Sequence, residues 1–231
     1  MSLSVVMASL ESAGSEQNRK IYARHGVRSP AFGVSFAHLK TLQKTYKKQT
    51  ALALELWYTG NHDARMLATQ IADPQAMTVE QLEKWLEVLD NYVLTDQVAQ
   101  LLSGRKDVMT WIERLKPESR DWWGQVGYDL LAKVAMNDPH LPDSYFLEQL
   151  EEIRTTLHQR NNRTRHAMNQ AMIAIGIRNP ALKEVAWTVA GVVGKVEVDH
   201  GETGCETPDA RAYIEKTFAR REAQAAKKGK A

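Results

Sequence analysis

Cysteine is almost absent from this chain: Cys205 is the only one in 231 residues. No internal disulfide can form, which suits a reducing compartment, and a cytoplasmic location is the expectation. Long apolar runs are missing too. The longest uncharged apolar stretch near the C-terminus, Ala186 to Gly194, is far short of the ~20 residues that cross a bilayer. Met1 to Leu10 has no basic stretch ahead of its apolar residues and is too short for a secretory leader, so no membrane partner is expected. The glycine fingerprints of nucleotide and hydrolase chemistry are lacking: there is no Walker loop, no Gly-x-Gly-x-x-Gly and no Gly-x-Ser-x-Gly elbow. Paired metal ligands are lacking as well. Asp199, His200, Glu202 and Cys205 crowd into seven residues, but a closed zinc site draws paired Cys or His from two elements. The segment is expected to be a turn, with no metal and no other cofactor.

Acidic residues are missing from one long segment. Asn18 to Lys48 holds eight Lys or Arg and no Asp or Glu. The eight are Arg19, Lys20, Arg24, Arg28, Lys40, Lys44, Lys47 and Lys48. Gln49 to Gln100 reverses the balance, with eight acids against Arg65 and Lys84. A second basic set follows at Arg154, Arg160, Arg163, Arg165 and Arg178. The formal net charge of only +2 conceals this separation. Cations gathered apart from anions form the kind of surface a polyanion needs, although solvated helix faces produce the same pattern.

What the chain does have is helical periodicity. Phe36, Leu39, Leu42 and Tyr46 recur at helical spacing, as do Leu52 and Leu56, then Met66, Leu67 and Ile71, then Leu82, Trp85, Leu86 and Leu89. Thr78 with Gln81 forms a capping box, and Asn179-Pro180 and Thr207-Pro208 place a cap before a proline. Asp143 after Pro142 is a further cap candidate. Breakers at Ser29-Pro30, Thr59-Gly60-Asn61, Asp73-Pro74, Lys116-Pro117 and Asp138-Pro139 divide the chain into about a dozen helices. Lys195 to Asp199 alternates but has no partner strand, so it reads as an extended connector. The expected fold is all-α, an α-solenoid of HEAT-like helical repeats with a concave basic surface. The expected organisation is a flexible segment 1–17, one domain over 18–222 and a basic flexible tail 223–231.

One stretch combines an aromatic and an acid. In Leu89 to Ala99 the helical repeat puts Tyr92 and Asp96 on one face, where together they could stabilise a cationic sugar or base. An isolated solvated acid is the plainer reading. Trp122 and Trp123 are adjacent, so one is expected to be buried and the other partly exposed, free to stack on a sugar or base. Arg163, Arg165, His166 and Asn169 begin a helix whose amides could receive a phosphate. Asn61-His62-Asp63 reads as capping chemistry.

These elements, in their order, resemble the AlkD-type DNA alkylation repair family. The resemblance runs over most of residues 18–220. It rests on Tyr22-Ala23-Arg24 followed by Phe32-Gly33-Val34, on Leu56-Trp57, on Asp63-Ala64-Arg65 and on Tyr92 to Asp96. It implies a HEAT-like fold and excision of cationic N3- or N7-alkylated purines. It assigns the catalytic carboxylate to Asp96 and matches Tyr92 to a family tryptophan. Gln125 falls where the family has an arginine, and Gln170 where it has a second tryptophan. A fixed carboxylate would oppose the oxocarbenium charge, and aromatic faces would hold the cationic base. The DNA-contacting set is then Trp122, Trp123, Arg24, Arg28, Lys40, Lys44, Arg163, Arg165, His166 and Gln170, with Asp96, Tyr92 and Gln125 at the chemistry. The expected partner is double-stranded DNA, alkylated or not, bound by a monomer. Two alternatives stand beside an alkylpurine DNA glycosylase: an inactive relative that binds damaged or distorted DNA, and a HEAT-like protein-interaction scaffold.

Overall fold

The computed structural model describes residues 2–228, with side chains through residue 225. Thirteen α-helices account for its regular structure, and the described residues hold no strand beyond one isolated bridge, Gly14 to Val34. The Cα framework groups into two compact units. The N-terminal unit runs through Trp111 and includes His200–Gly204; the other takes Ile112–Asp199 and resumes at Cys205.

The N-terminal unit contains α1 (Leu3–Ser12), α2 (Glu16–Arg24), α3 (Phe36–Thr45), α4 (Thr50–Tyr58), α5 (His62–Ile71), α6 (Val79–Glu87) and α7 (Tyr92–Leu102). Five of these helices start where a short polar side chain takes a free amide. Ser15, Ser35, Asn61 and Asn91 each accept from the amide three residues on, and Thr78 with Gln81 closes the expected capping box. The segment expected to be flexible, 1–17, carries α1, with Val6 and Leu10 fully buried on one face. At the centre of the unit the Trp57 and Trp85 rings stack in parallel, centroids 4.0 Å apart and 3° between planes. Both are buried. Truncating such a residue costs about 3–5 kcal/mol, because the surrounding helices cannot close the gap.

The irregular stretch between α2 and α3 is fixed by one buried carboxylate. Asp63 accepts the amides of Phe32 at 2.7 Å, Gly33 at 3.0 Å and Val34 at 2.9 Å. Asn61, not Asp63, is the cap of α5. Gly33 is required here: its φ is +81°, and an added Cβ would lie 2.3 Å from the Ser15 carbonyl oxygen.

Helix α8 (Val108–Leu115) carries the chain across the division. The C-terminal unit then contains α9 (Asp121–Asn137), α10 (Asp143–Thr156), α11 (Asn162–Gly176), α12 (Pro180–Val193) and α13 (Ala210–Lys228), with a 3-10 turn at Leu157–Gln159. Helices α9 and α11 approach closely because Gly124 has no side chain; a Cβ there would stand 2.4 Å from Thr164 Oγ1. Lys116 is buried and donates to Gln149 and, at 2.7 Å, to Glu152. Tyr128 donates to the other Glu152 oxygen at 2.6 Å, and burial followed by that carboxylate pushes its phenol well above the ordinary range.

Two local expectations are corrected. Asp209 rather than Thr207 caps α13, accepting from the Ala212 amide at 2.8 Å. Asp143 lies inside α10 and accepts from the Asn179 side chain. The expected basic tail 223–231 is helical through Lys228, and 229–231 lie outside the described residues. Lys195 to Asp199 is irregular, as a connector should be.

Candidate functional site

Tyr92 and Asp96 lie one turn apart on α7, and both line a cavity of about 280 Å³. Ile21, Tyr22 and His25 from α2 and its end, Phe36 from the start of α3, and Val93 of α7 form the rest of its apolar and aromatic lining. Asp96 is exposed, Tyr92 half-buried. The Tyr92 hydroxyl is hydrogen-bonded to His25 Nδ1, and the two rings tilt at 60° with centroids 5.8 Å apart. Tyr22 donates to the Val34 carbonyl oxygen, which ties this wall to the loop that Asp63 holds. Burial, with Asp63 second, pushes the Tyr22 phenol up to about 12. His62 stands edge-on to Tyr22 at 5.0 Å, fully buried. Burial holds its imidazole below the ordinary histidine value, against the opposing pull of Asp63. A carboxylate among aromatic faces is suited to a flat cation, by charge and by cation–π attraction.

The acid-free segment supplies exposed cations to the same unit. Arg24, Arg28, Lys40 and Lys44 are all exposed on the N-terminal unit. His25, Tyr22 and Phe36 were missed as site residues by the sequence reading. The available signal was the spacing of Tyr22 and His25, three apart on one helical face inside the segment that lacks acids.

The family of DNA alkylation repair enzymes matches residues 6–192. The chain belongs to that family. An uncharacterized protein of Listeria innocua is 32% identical over 203 residues, covering 85% of this chain and 88% of its own. One from Listeria monocytogenes is 33% identical over 207 residues, with the same coverage. A solved structure superposes with a TM-score of 0.87 and 31% identity over 95% of each chain. It represents a family of proteins related to the HEAT-like repeat DNA glycosylases with affinity for branched DNA structures. The fold of this alkylation repair family member is thus HEAT-like and all-α.

The remaining expected residues lie in the C-terminal unit, where three are buried and four half-buried. Trp123 is buried beneath the Arg120 guanidinium, 3.3 Å from the ring centroid, and Trp122 is half-buried. Gln125 is 1% exposed and donates to Asp129 at 3.3 Å. Arg165, His166 and Gln170 are half-buried. Arg163 is 8% exposed. The start of α11 is filled from within the unit. The Asp121 carboxylate already accepts the Arg163 and Thr164 amides, at 2.9 and 2.7 Å. A helix start filled by an internal carboxylate repels a second anion.

Proposed function

We propose that this member of the alkylation repair family is a DNA-binding protein that recognises branched or distorted DNA, with base excision weak or lost. The observation that carries this reading is Gln125. At the position where the family resemblance calls for an arginine, the chain has a neutral side chain, almost wholly buried and turned to Asp129. It supplies neither charge nor reach for a phosphate, so the bidentate clamp that would fix a nucleotide for chemistry is missing. The exposed cations of the N-terminal unit support binding without catalysis, since phosphate contacts give affinity regardless of sequence. The affinity of the structural neighbour's family for branched DNA supports the choice of substrate.

Fluorescence anisotropy with a four-way junction and a linear duplex of the same sequence tests this. The junction should bind more tightly, and both affinities should fall steeply with salt. Equal affinity for the two would overturn the reading. A second reading, an active alkylpurine glycosylase, is favoured by one feature: Asp96 and Tyr92 line a single aromatic cavity. In that case 7-methylguanine is released, and Asp96→Asn slows release by ~10²–10³, the usual cost of one electrostatic stabiliser. Under the leading reading no release above the uncatalysed background is expected.

A further inference from the structure

A second cavity in the N-terminal unit, of about 410 Å³, has a different chemistry from the one at Asp96. Gln43, Gln70 and Gln97 stand 27 residues apart on α3, α5 and α7, and they form a ladder. The Gln43 side-chain amide donates to the main-chain carbonyl oxygen of Gln70 at 3.3 Å, and the Gln70 side-chain amide reaches Gln97 Oε1 at 3.5 Å. Gln100 adds a fourth amide from the next turn of α7. The Gln70 side-chain oxygen is buried without a hydrogen-bond partner. One edge is Phe36, 50% exposed, and beside it is Lys40. Lys40 is the one charged residue of the lining, which contains no acid. Phe36 and Gln97 also line the Asp96 cavity, so the two spaces adjoin.

An exposed aromatic face, one cation and a row of amides match the parts of a nucleotide. A base stacks on Phe36, its polar edge meets amides that both donate and accept, and a phosphate meets the ammonium. Glutamine amides read base edges, and stacking tolerates any base, so such a site is selective for an unpaired nucleotide more than for its identity. The volume suits one nucleotide and not a duplex. The absence of acid separates this cavity from the cation-seeking one at Asp96.

We propose that the glutamine-lined cavity is a subsite for one unpaired nucleotide, stacked on Phe36 and anchored by Lys40. This rests on the DNA-binding reading and deepens it: the feature recognised in branched DNA is the base that has lost its partner at the branch. The test uses the full chain and a duplex with a single bulged 2-aminopurine, whose fluorescence is quenched by stacking on an aromatic ring. Wild type should bind this duplex more tightly than the fully paired one, with quenching at saturation. Gln43→Ala and Gln100→Ala touch this cavity and not the one at Asp96, and each should reduce the preference for the bulge. Phe36→Ala should abolish the quenching and weaken bulge binding on the order of tenfold. Affinity for the fully paired duplex should move little in all three. Junction binding by the wild type without quenching, or quenching that survives all three substitutions, overturns the subsite and leaves the DNA-binding reading in place. No binding of the wild type to any of these DNAs overturns both.

Discussion

Asp63 and Asp121 sit in the first turn of α5 and of α9, and each accepts backbone amides from a distant stretch of its own unit, yet they build opposite surfaces. Asp63 gathers the amides of residues 32–34 and so shapes an irregular loop that leads into Phe36, at the rim of both N-terminal cavities. Asp121 takes the first amides of α11 and so closes the one helix start that the sequence marks for phosphate. The arginines sort by local surroundings within each unit. In the C-terminal unit Arg160 donates to the Lys116 and Glu118 carbonyl oxygens, and Arg178 to those of Ala135 and Leu141. In the N-terminal unit Arg105 likewise donates to the Pro74 and Met77 carbonyl oxygens, while Arg24 and Arg28 are exposed. Cations gathered in the sequence therefore do not all become cations of the surface. What decides is whether loop carbonyls lie within reach to receive the guanidinium.

The contrast can be broken most severely at the carboxylates. Asp63→Ala leaves three amides, two of them buried, without an acceptor, and at ~1–3 kcal/mol per orphaned group the N-terminal unit should lose about 3 kcal/mol in urea unfolding. Asp121→Ala, at a half-buried site with two amides, should cost about 1–2 kcal/mol, because water reaches what the carboxylate leaves. Equal losses would erase the difference in depth on which the comparison rests.

The next effect is a pH dependence confined to the N-terminal unit. His62 is held neutral by burial, so as pH falls the unfolded chain takes up the proton first. Stability present at neutral pH should be lost below the ordinary histidine value of about 6.5, with a slope approaching 1.4 kcal/mol per pH unit. His62→Leu should flatten that slope between roughly pH 6.5 and 5; an unchanged slope would assign the acid sensitivity to another group.

Smaller still is Tyr92→Phe, which removes the bond to His25 and should cost about 0.5–1.5 kcal/mol without altering the helix. The least disruptive probe is the salt dependence of DNA binding. Lys44→Ala should lower the log–log slope by ~0.9 if the lysine meets a phosphate. Arg178→Ala should leave the slope alone while lowering the melting temperature, since its guanidinium serves backbone carbonyls. A reduced slope in Arg178→Ala would mean that the C-terminal unit also presents its cations.

The helices were legible because burial of one face imposes a 3.6-residue apolar period, and the caps because only short polar side chains reach the free amides. The Tyr92–Asp96 pairing was legible for the same reason: both partners lie on one helix. His25 was not, because its partner is 67 residues away and that pairing depends on how α2 lies against α7. The burial of Arg163 was hidden for a related cause. A basic residue at a helix start looks solvated until Asp121 of α9 is found holding its amide. The glutamine ladder left no trace in the apolar pattern, since amides are neither hydrophobic nor charged. Its 27-residue recurrence becomes meaningful only once α3, α5 and α7 are known to stand side by side.

The parallel Trp57–Trp85 stack also has an optical consequence. Two indoles 4.0 Å apart share their electronic excitations, so the N-terminal unit carries an absorption and circular-dichroism signature that isolated tryptophans lack. The C-terminal unit, with Trp122, Trp123 and Trp187, has no stacked indole pair among its described residues. The exciton-coupled band of the stacked pair thus reports on one unit while helical dichroism reports on both. Comparing the two transitions along a single melt reveals whether the units unfold together or in turn.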